Sequence, residues 1–141
     1  MIDRGDIIRA LSLVGFSSAH FNAVWPESQL GLLAPVKSHG SPNSVFLGGV
    51  VGTGKTSLMS CCCQTLFKEF ATRADGCPAY MLPDFFARDV RYVTHTDLSK
   101  IWEREFQDDG VGSEDEFYTA RVLFLDDLGA APDTQSGRNM A

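Results

Sequence analysis

The octapeptide Gly49-Val50-Val51-Gly52-Thr53-Gly54-Lys55-Thr56 constrains this chain more than any other stretch, because it sits between a short apolar run and a long helical pattern. It fits G-x-x-x-x-G-K-[ST] in full, and a strand before it with a helix after it is the setting in which that spacing forms a phosphate-binding loop. Ser44, Val45, Phe46, Leu47 and Gly48 read as a buried strand closed by glycines. After the octapeptide, Leu58, Cys62, Leu66 and Phe70 recur at every fourth position. Met59, Cys63 and Phe67 lie beside them, and Ser57, Ser60, Gln64 and Lys68 fall opposite, which predicts an amphipathic helix.

The chemistry of each residue type fits a polyphosphate. Gly49, Gly52 and Gly54 permit backbone conformations that turn N–H groups inward around an anion. The helix that starts near Gly54 adds unpaired N–H groups and the positive end of its dipole. The predicted cradle is therefore the backbone of Gly49, Val50, Val51, Gly52, Thr53, Gly54, Lys55, Thr56 and Ser57. Lys55 places a compact cation on the β- and γ-phosphates, and the Thr56 hydroxyl is a hard oxygen ligand for Mg²⁺. The competing reading is a glycine-rich turn with an exposed lysine.

A second candidate lies further along. Val122, Leu123, Phe124 and Leu125 read as a strand that runs into Asp126 and Asp127. Open α/β sheets bind ligands at the carboxyl ends of their strands. Asp126 is the candidate to hold Mg²⁺ through its water shell, and Asp127 to orient or deprotonate the water that attacks a γ-phosphate. The alternative is an Asp-Asp turn that merely ends a strand.

Three stretches together, residues 46–58, 92–98 and 122–130, resemble the DnaC-like and IstB-like helicase-loader ATPases of the AAA+ class. Asp126-Asp127-Leu128-Gly129 is the most telling of them, since the wider class usually carries Asp-Glu at that point. The resemblance spans about residues 15–141. It implies an α/β fold of the P-loop NTPase type, a mainly parallel sheet with flanking helices. It also implies binding and hydrolysis of ATP with Mg²⁺, side-by-side assembly on a replicative helicase or related partner, and contact with single-stranded DNA. An arginine supplied in trans would complete the catalytic site. Family members continue well past the aspartate pair, with a further strand between the phosphate-loop strand and the Asp-Asp strand, and with sensor residues. Arg138 lies too close to Asp127 for any of those roles, so the chain reads as the first part of an AAA+ core. Residues 1–43 read as a helical lead-in and connector, and 44–141 as that partial core. Two other classes remain open: a nucleotide-binding module without turnover, and a P-loop kinase or GTPase.

Composition narrows the partners. With 18 acids against 12 Lys plus Arg, the formal charge is −6, so no global positive field draws the chain onto nucleic acid. Nine of the 18 acids fall within residues 103–127, and the acidic loop 108–116 repels phosphate backbones. Arg88 and Arg91 read as DNA contacts or as solvated side chains. Cys61, Cys62, Cys63 and Cys77 lack paired metal-site spacing, and thiols in a reducing compartment behave as small buried hydrophobes. No apolar run approaches the roughly 20 residues of a membrane helix, and the start is not a signal peptide, so the expected location is the cytoplasm.

Elsewhere the periodicity predicts a helix over 6–14, a short one over 17–22, an irregular stretch over 71–89, and a strand over 90–94. Thr96 is the expected cap of a following helix whose Leu98, Ile101, Trp102 and Phe106 share a face. A loop over 107–113 and a short helix near 114–119 come next. Phe21, Val24 and Trp25 either flank an adenine or pack in the core, and Trp102 reads as core.

Overall fold

A computed structural model describes residues 2–26, 54–107 and 119–128. The expected strand at 44–48, the connector before it, positions 49–53 of the octapeptide, the acidic loop 108–116 and the chain from 129 onward lie outside the described residues. The fold is α/β, with helices and a two-stranded parallel sheet. The chain divides into two compact units, Met1–Ala87 and Arg88–Ala141.

The first unit opens with α1 (Arg4–Val14). A reciprocal cap starts it, in which the Asp3 carboxyl accepts from the Asp6 N–H at 2.9 Å and the Asp6 carboxyl accepts from the Asp3 N–H at 2.8 Å. Two of the helix's orphan donors are satisfied this way. Its buried face is Ala10, Leu11 and Val14, and a single 3-10 turn, Ser18–His20, follows.

Both elements pack on α2 (Lys55–Arg73), the helix predicted after the octapeptide. Here the polar row opposite the apolar stripe is exposed only at Lys68, while Ser60 and Gln64 face the lead-in chain. Ser60 is fully buried, and its hydroxyl donates to the His20 carbonyl at 2.6 Å. One turn on, the Gln64 amide donates to the Ala23 carbonyl at 3.2 Å. The polar residues are inside because the lead-in chain supplies carbonyl acceptors there, so each buried donor is matched. Ser60, Cys61, Cys62 and Cys63 are buried in succession. At about 100° per residue they cover roughly 300° of the helix circumference, which demands small side chains at that level.

The stretch 71–89 is mostly helical rather than irregular. The helix α2 continues to Arg73, a 3-10 turn spans Ala79–Met81, and α3 (Leu82–Asp89) follows. Pro83 reads as a breaker in sequence, but it is the second residue of α3, where a missing N–H costs no hydrogen bond. Phe86 then packs edge-on to Phe67, ring centres 5.2 Å apart, and tilted against Phe70 at 5.6 Å. Arg9 and Asp84 pair at 3.0 Å, but both are half exposed, so the pair contributes at most about 1 kcal/mol.

The second unit is a strand-helix-strand arrangement. The strand β1 (Val90–Thr94) falls where the alternating β-branched and aromatic residues predict it, and leads directly into α4 (His95–Gln107). Thr94, not Thr96, caps this helix: its hydroxyl accepts from the Asp97 N–H at 3.1 Å. The helix starts at His95, and a capping hydroxyl must precede the first helical residue. The strand β2 (Val122–Asp126) runs parallel to β1, with Val90 opposite Val122, Tyr92 opposite Phe124 and Thr94 opposite Asp126. Parallel neighbours need a long crossover, and α4 supplies part of it. The pairing extends one residue beyond the strands through the Arg121 N–H, which donates to the Asp89 carbonyl at 2.8 Å. Val90, Val93, Leu98 and Phe124 are the buried apolar residues among those described in this unit. Among the described residues, no helix is long and apolar enough to cross a membrane.

The cysteines follow the expected pattern of small buried hydrophobes, with Cys61, Cys62 and Cys63 buried and Cys77 half-buried. Burial pushes the Cys63 thiol well above its ordinary value, and raises Cys61 against the opposing pull of Lys68. A buried thiol held protonated is unreactive. Native protein titrated with a chromogenic disulfide near pH 8 is therefore expected to react rapidly at Cys77, the other three thiols appearing only on denaturation. Because the folded state retains these protons longer than the unfolded chain, stability falls as pH rises past the unfolded thiol value of about 8.5.

Candidate functional site

The described part of the octapeptide begins at Gly54, the N-cap of α2, with φ 88° and ψ 20°. Only glycine adopts that left-handed conformation without strain. Lys55, Thr56 and Ser57 form the first turn and are partly buried. The helical ladder starts where the Leu58 N–H donates to the Gly54 carbonyl at 2.9 Å. Gly54 has no side chain to cap the turn above it. The helix thus begins without a side-chain cap, with a lysine and a threonine in its first turn at the positive end of the helix dipole.

Trp25 covers this point from the lead-in chain. A Cβ placed on Gly54 would lie 2.9 Å from both Cη2 and Cζ3 of the Trp25 ring, closer than real side-chain atoms approach. Glycine is therefore demanded twice, by the sign of φ and by the indole. The Trp25 Nε1–H is buried and has no acceptor among the described residues. Of the other two aromatic or apolar candidates, Phe21 is partly buried and Val24 is 87% exposed.

The aspartates sit at the carboxyl end of β2. Asp126 is its last residue and only 4% exposed. Its two oxygens have different partners: Oδ2 accepts from the Tyr92 hydroxyl at 2.7 Å, and Oδ1 accepts from the Asp127 N–H at 2.9 Å. Strand geometry brings Tyr92 there. Cross-strand partners point to the same face and every second residue of a strand returns to it, so Tyr92, opposite Phe124, reaches diagonally to Asp126. Asp127 is exposed and takes a left-handed backbone with φ 55°, the one non-glycine residue among those described that does so. Aspartate tolerates that region better than most residues, and such outliers cluster at functional sites.

Tyr92 was not among the residues that sequence reasoning singled out. Its signal was its place on a strand that pairs with the aspartate strand, and that register is a long-range property. The structure places Gly54, Lys55, Thr56 and Ser57 at one helix end in the first unit, and Asp126 and Asp127 at one strand end in the second. Gly49, Val50, Val51, Gly52 and Thr53 lie outside the described residues. Arg88 is exposed, while Arg91 and Trp102 are partly buried.

Carboxylate chemistry sets what these groups can hold. The Asp126 carboxylate is a hard oxygen donor set held in place by the Tyr92 hydroxyl and the Asp127 N–H. No cluster of three or more His, Cys, Asp or Glu suited to a metal ion occurs among the described residues. Mg²⁺ does not call for one, since it keeps several waters and takes one or two protein oxygens plus substrate phosphates. Thr56 in the first unit and Asp126 in the second are each of a donor type that Mg²⁺ accepts.

Compared with protein-family models, with curated proteins and with solved structures, the chain matches none.

Proposed function

We propose that this chain is a Mg²⁺-dependent ATPase of the P-loop class and of the helicase-loader type, which acts in the cytoplasm with a replicative helicase or related partner and single-stranded DNA. The observation that carries the reading is the start of α2: a left-handed Gly54 followed by Lys55 and Thr56 in the first turn of a 19-residue helix. A sequence motif alone specifies residue types. The helix end supplies in addition the N–H groups and dipole that bind phosphate.

In this reading the backbone at 49–57 and the Lys55 ammonium bind the β- and γ-phosphates of ATP, with Thr56 and Asp126 as the protein's oxygens toward Mg²⁺. When bound there, Mg²⁺ would supply positive charge to offset that developing on the phosphates. Lys55 adds to that stabilisation from a fixed position. Asp127, exposed at the strand end, orients the attacking water and takes its proton. Tyr92 holds the Asp126 carboxyl in one orientation. An arginine supplied in trans completes the site.

The test is phosphate release from MgATP by the purified chain with a replicative helicase and single-stranded DNA present. Release that disappears in Lys55→Ala is the expected result. Saturable ATP binding with no release under those conditions favours a nucleotide-binding module without turnover.

A further inference from the structure

We infer that Trp25 is a positioning residue for the phosphate-binding end of α2, an inference that rests on the nucleotide reading above. Glycine populates positive and negative φ about equally, so Gly54 does not choose its own conformation. Something outside the helix must select the left-handed state. The Trp25 ring lies 2.9 Å from where a Cβ on Gly54 would be, against the residue whose conformation sets the first turn.

The ring is itself held from the same helix. Ser60 Oγ fixes the His20 carbonyl at 2.6 Å, and Gln64 Nε2 fixes the Ala23 carbonyl at 3.2 Å. At 1.5 Å per residue these anchors sit about 9 Å and about 15 Å along the axis from Gly54. Arg4 of α1 donates to the Asn22 side chain and ties the segment from its other side. Pro26 then restricts Trp25 to an extended backbone. Helix, anchors, segment and indole form a closed circuit that returns to the helix's own N-cap. The indole N–H is buried without an acceptor among the described residues.

The position of Trp25 distinguishes phosphate-side from base-side action. A residue that sets the Gly54 turn affects any ligand bearing the polyphosphate. A residue that stacks on a base affects only ligands that have one.

Binding of MgATP and of inorganic tripolyphosphate with Mg²⁺ is measured by calorimetry for the parent, Trp25→Phe and Trp25→Ala, with circular dichroism confirming that each is folded at the working temperature. Loss of preorganisation predicts that Trp25→Ala weakens both ligands by about tenfold, and that Trp25→Phe, which keeps a ring over Gly54, restores both to within about threefold. In a Trp102→Phe background, where Trp25 is the sole tryptophan, tripolyphosphate is expected to change the emission of the indole. Trp25→Ala binding tripolyphosphate as tightly as the parent overturns the inference and leaves the nucleotide reading standing. Loss of ATP affinity with tripolyphosphate unaffected also overturns it and moves the ring to the base. Unchanged emission at saturating tripolyphosphate overturns it as well. A parent that binds neither ligand removes the nucleotide reading, and the positioning role with it.

Discussion

Asp127→Asn leaves the affinity for MgATP within about threefold of the parent's and lowers phosphate release, in the presence of helicase and single-stranded DNA, by roughly a thousandfold. The size follows from removing the group that accepts a proton from the attacking water. The choice of asparagine follows from the backbone. Asp127 has φ 55°, and asparagine is the substitution that tolerates left-handed geometry best. Its N–H still donates to Asp126 Oδ1, so the neighbouring carboxyl keeps its orientation. Alanine at this position would add backbone strain and confuse the result. Kinetics with separate kcat and KM check the expectation: kcat falls and KM holds. An equal loss of binding and turnover would make Asp127 a structural residue that ends a strand.

Phe67→Ala is expected to destabilise the first unit by about 3–5 kcal/mol, the usual range for emptying a buried phenylalanine site. Phe67 is 1% exposed and lies at the meeting of α2 and α3, with the Phe86 ring edge-on to it at 5.2 Å. Domains of ordinary stability have about 5–15 kcal/mol in total, so this one change removes a large fraction. Thermal unfolding read by circular dichroism should drop by more than about 10 °C. Phe67→Leu, which leaves a smaller gap, should lose less. A midpoint within 2–3 °C of the parent's, a shift worth under about 1 kcal/mol, would contradict the packing described for α2 and α3.

Much of this fold was legible where local pattern decides structure. The strand Val90–Thr94 is β-branched and aromatic over its whole length, and Val122–Asp126 is an apolar run ended by acids. The long helix follows from its every-fourth apolar stripe. Two features were not legible, for different reasons. Residues 82–89 were hidden by Pro83, because a proline announces a break in sequence while its tolerance depends on which helical position it occupies. Ser60 and Gln64 were hidden because their partners, the carbonyls of His20 and Ala23, lie about 40 residues away in the chain. Periodicity records which residues share a face, and it is silent on whether that face finds acceptors.

The candidate site divides in the same way. Lys55, Thr56, Asp126 and Asp127 carry their chemistry in residue type and spacing, so a reader of the sequence finds them. Trp25 was visible only as an aromatic near the start, of a kind that packs in a core more often than it stacks on a base. Its contact with Gly54 depends on the lead-in chain folding back onto α2, which no motif encodes. The same holds for Tyr92, whose hydroxyl meets Asp126 through strand register.

The central claim is that the start of α2 binds the phosphates of ATP. Calorimetric titration of MgATP into the parent and into Lys55→Ala tests it most directly, because the substitution removes one cation from that helix end and leaves Gly54 and the buried helix face intact. A charge-assisted bond is worth about 1.5–3 kcal/mol, so saturable one-to-one binding weakened by about tenfold to a hundredfold in Lys55→Ala is the predicted result. Equal affinity in the two proteins would contradict the account.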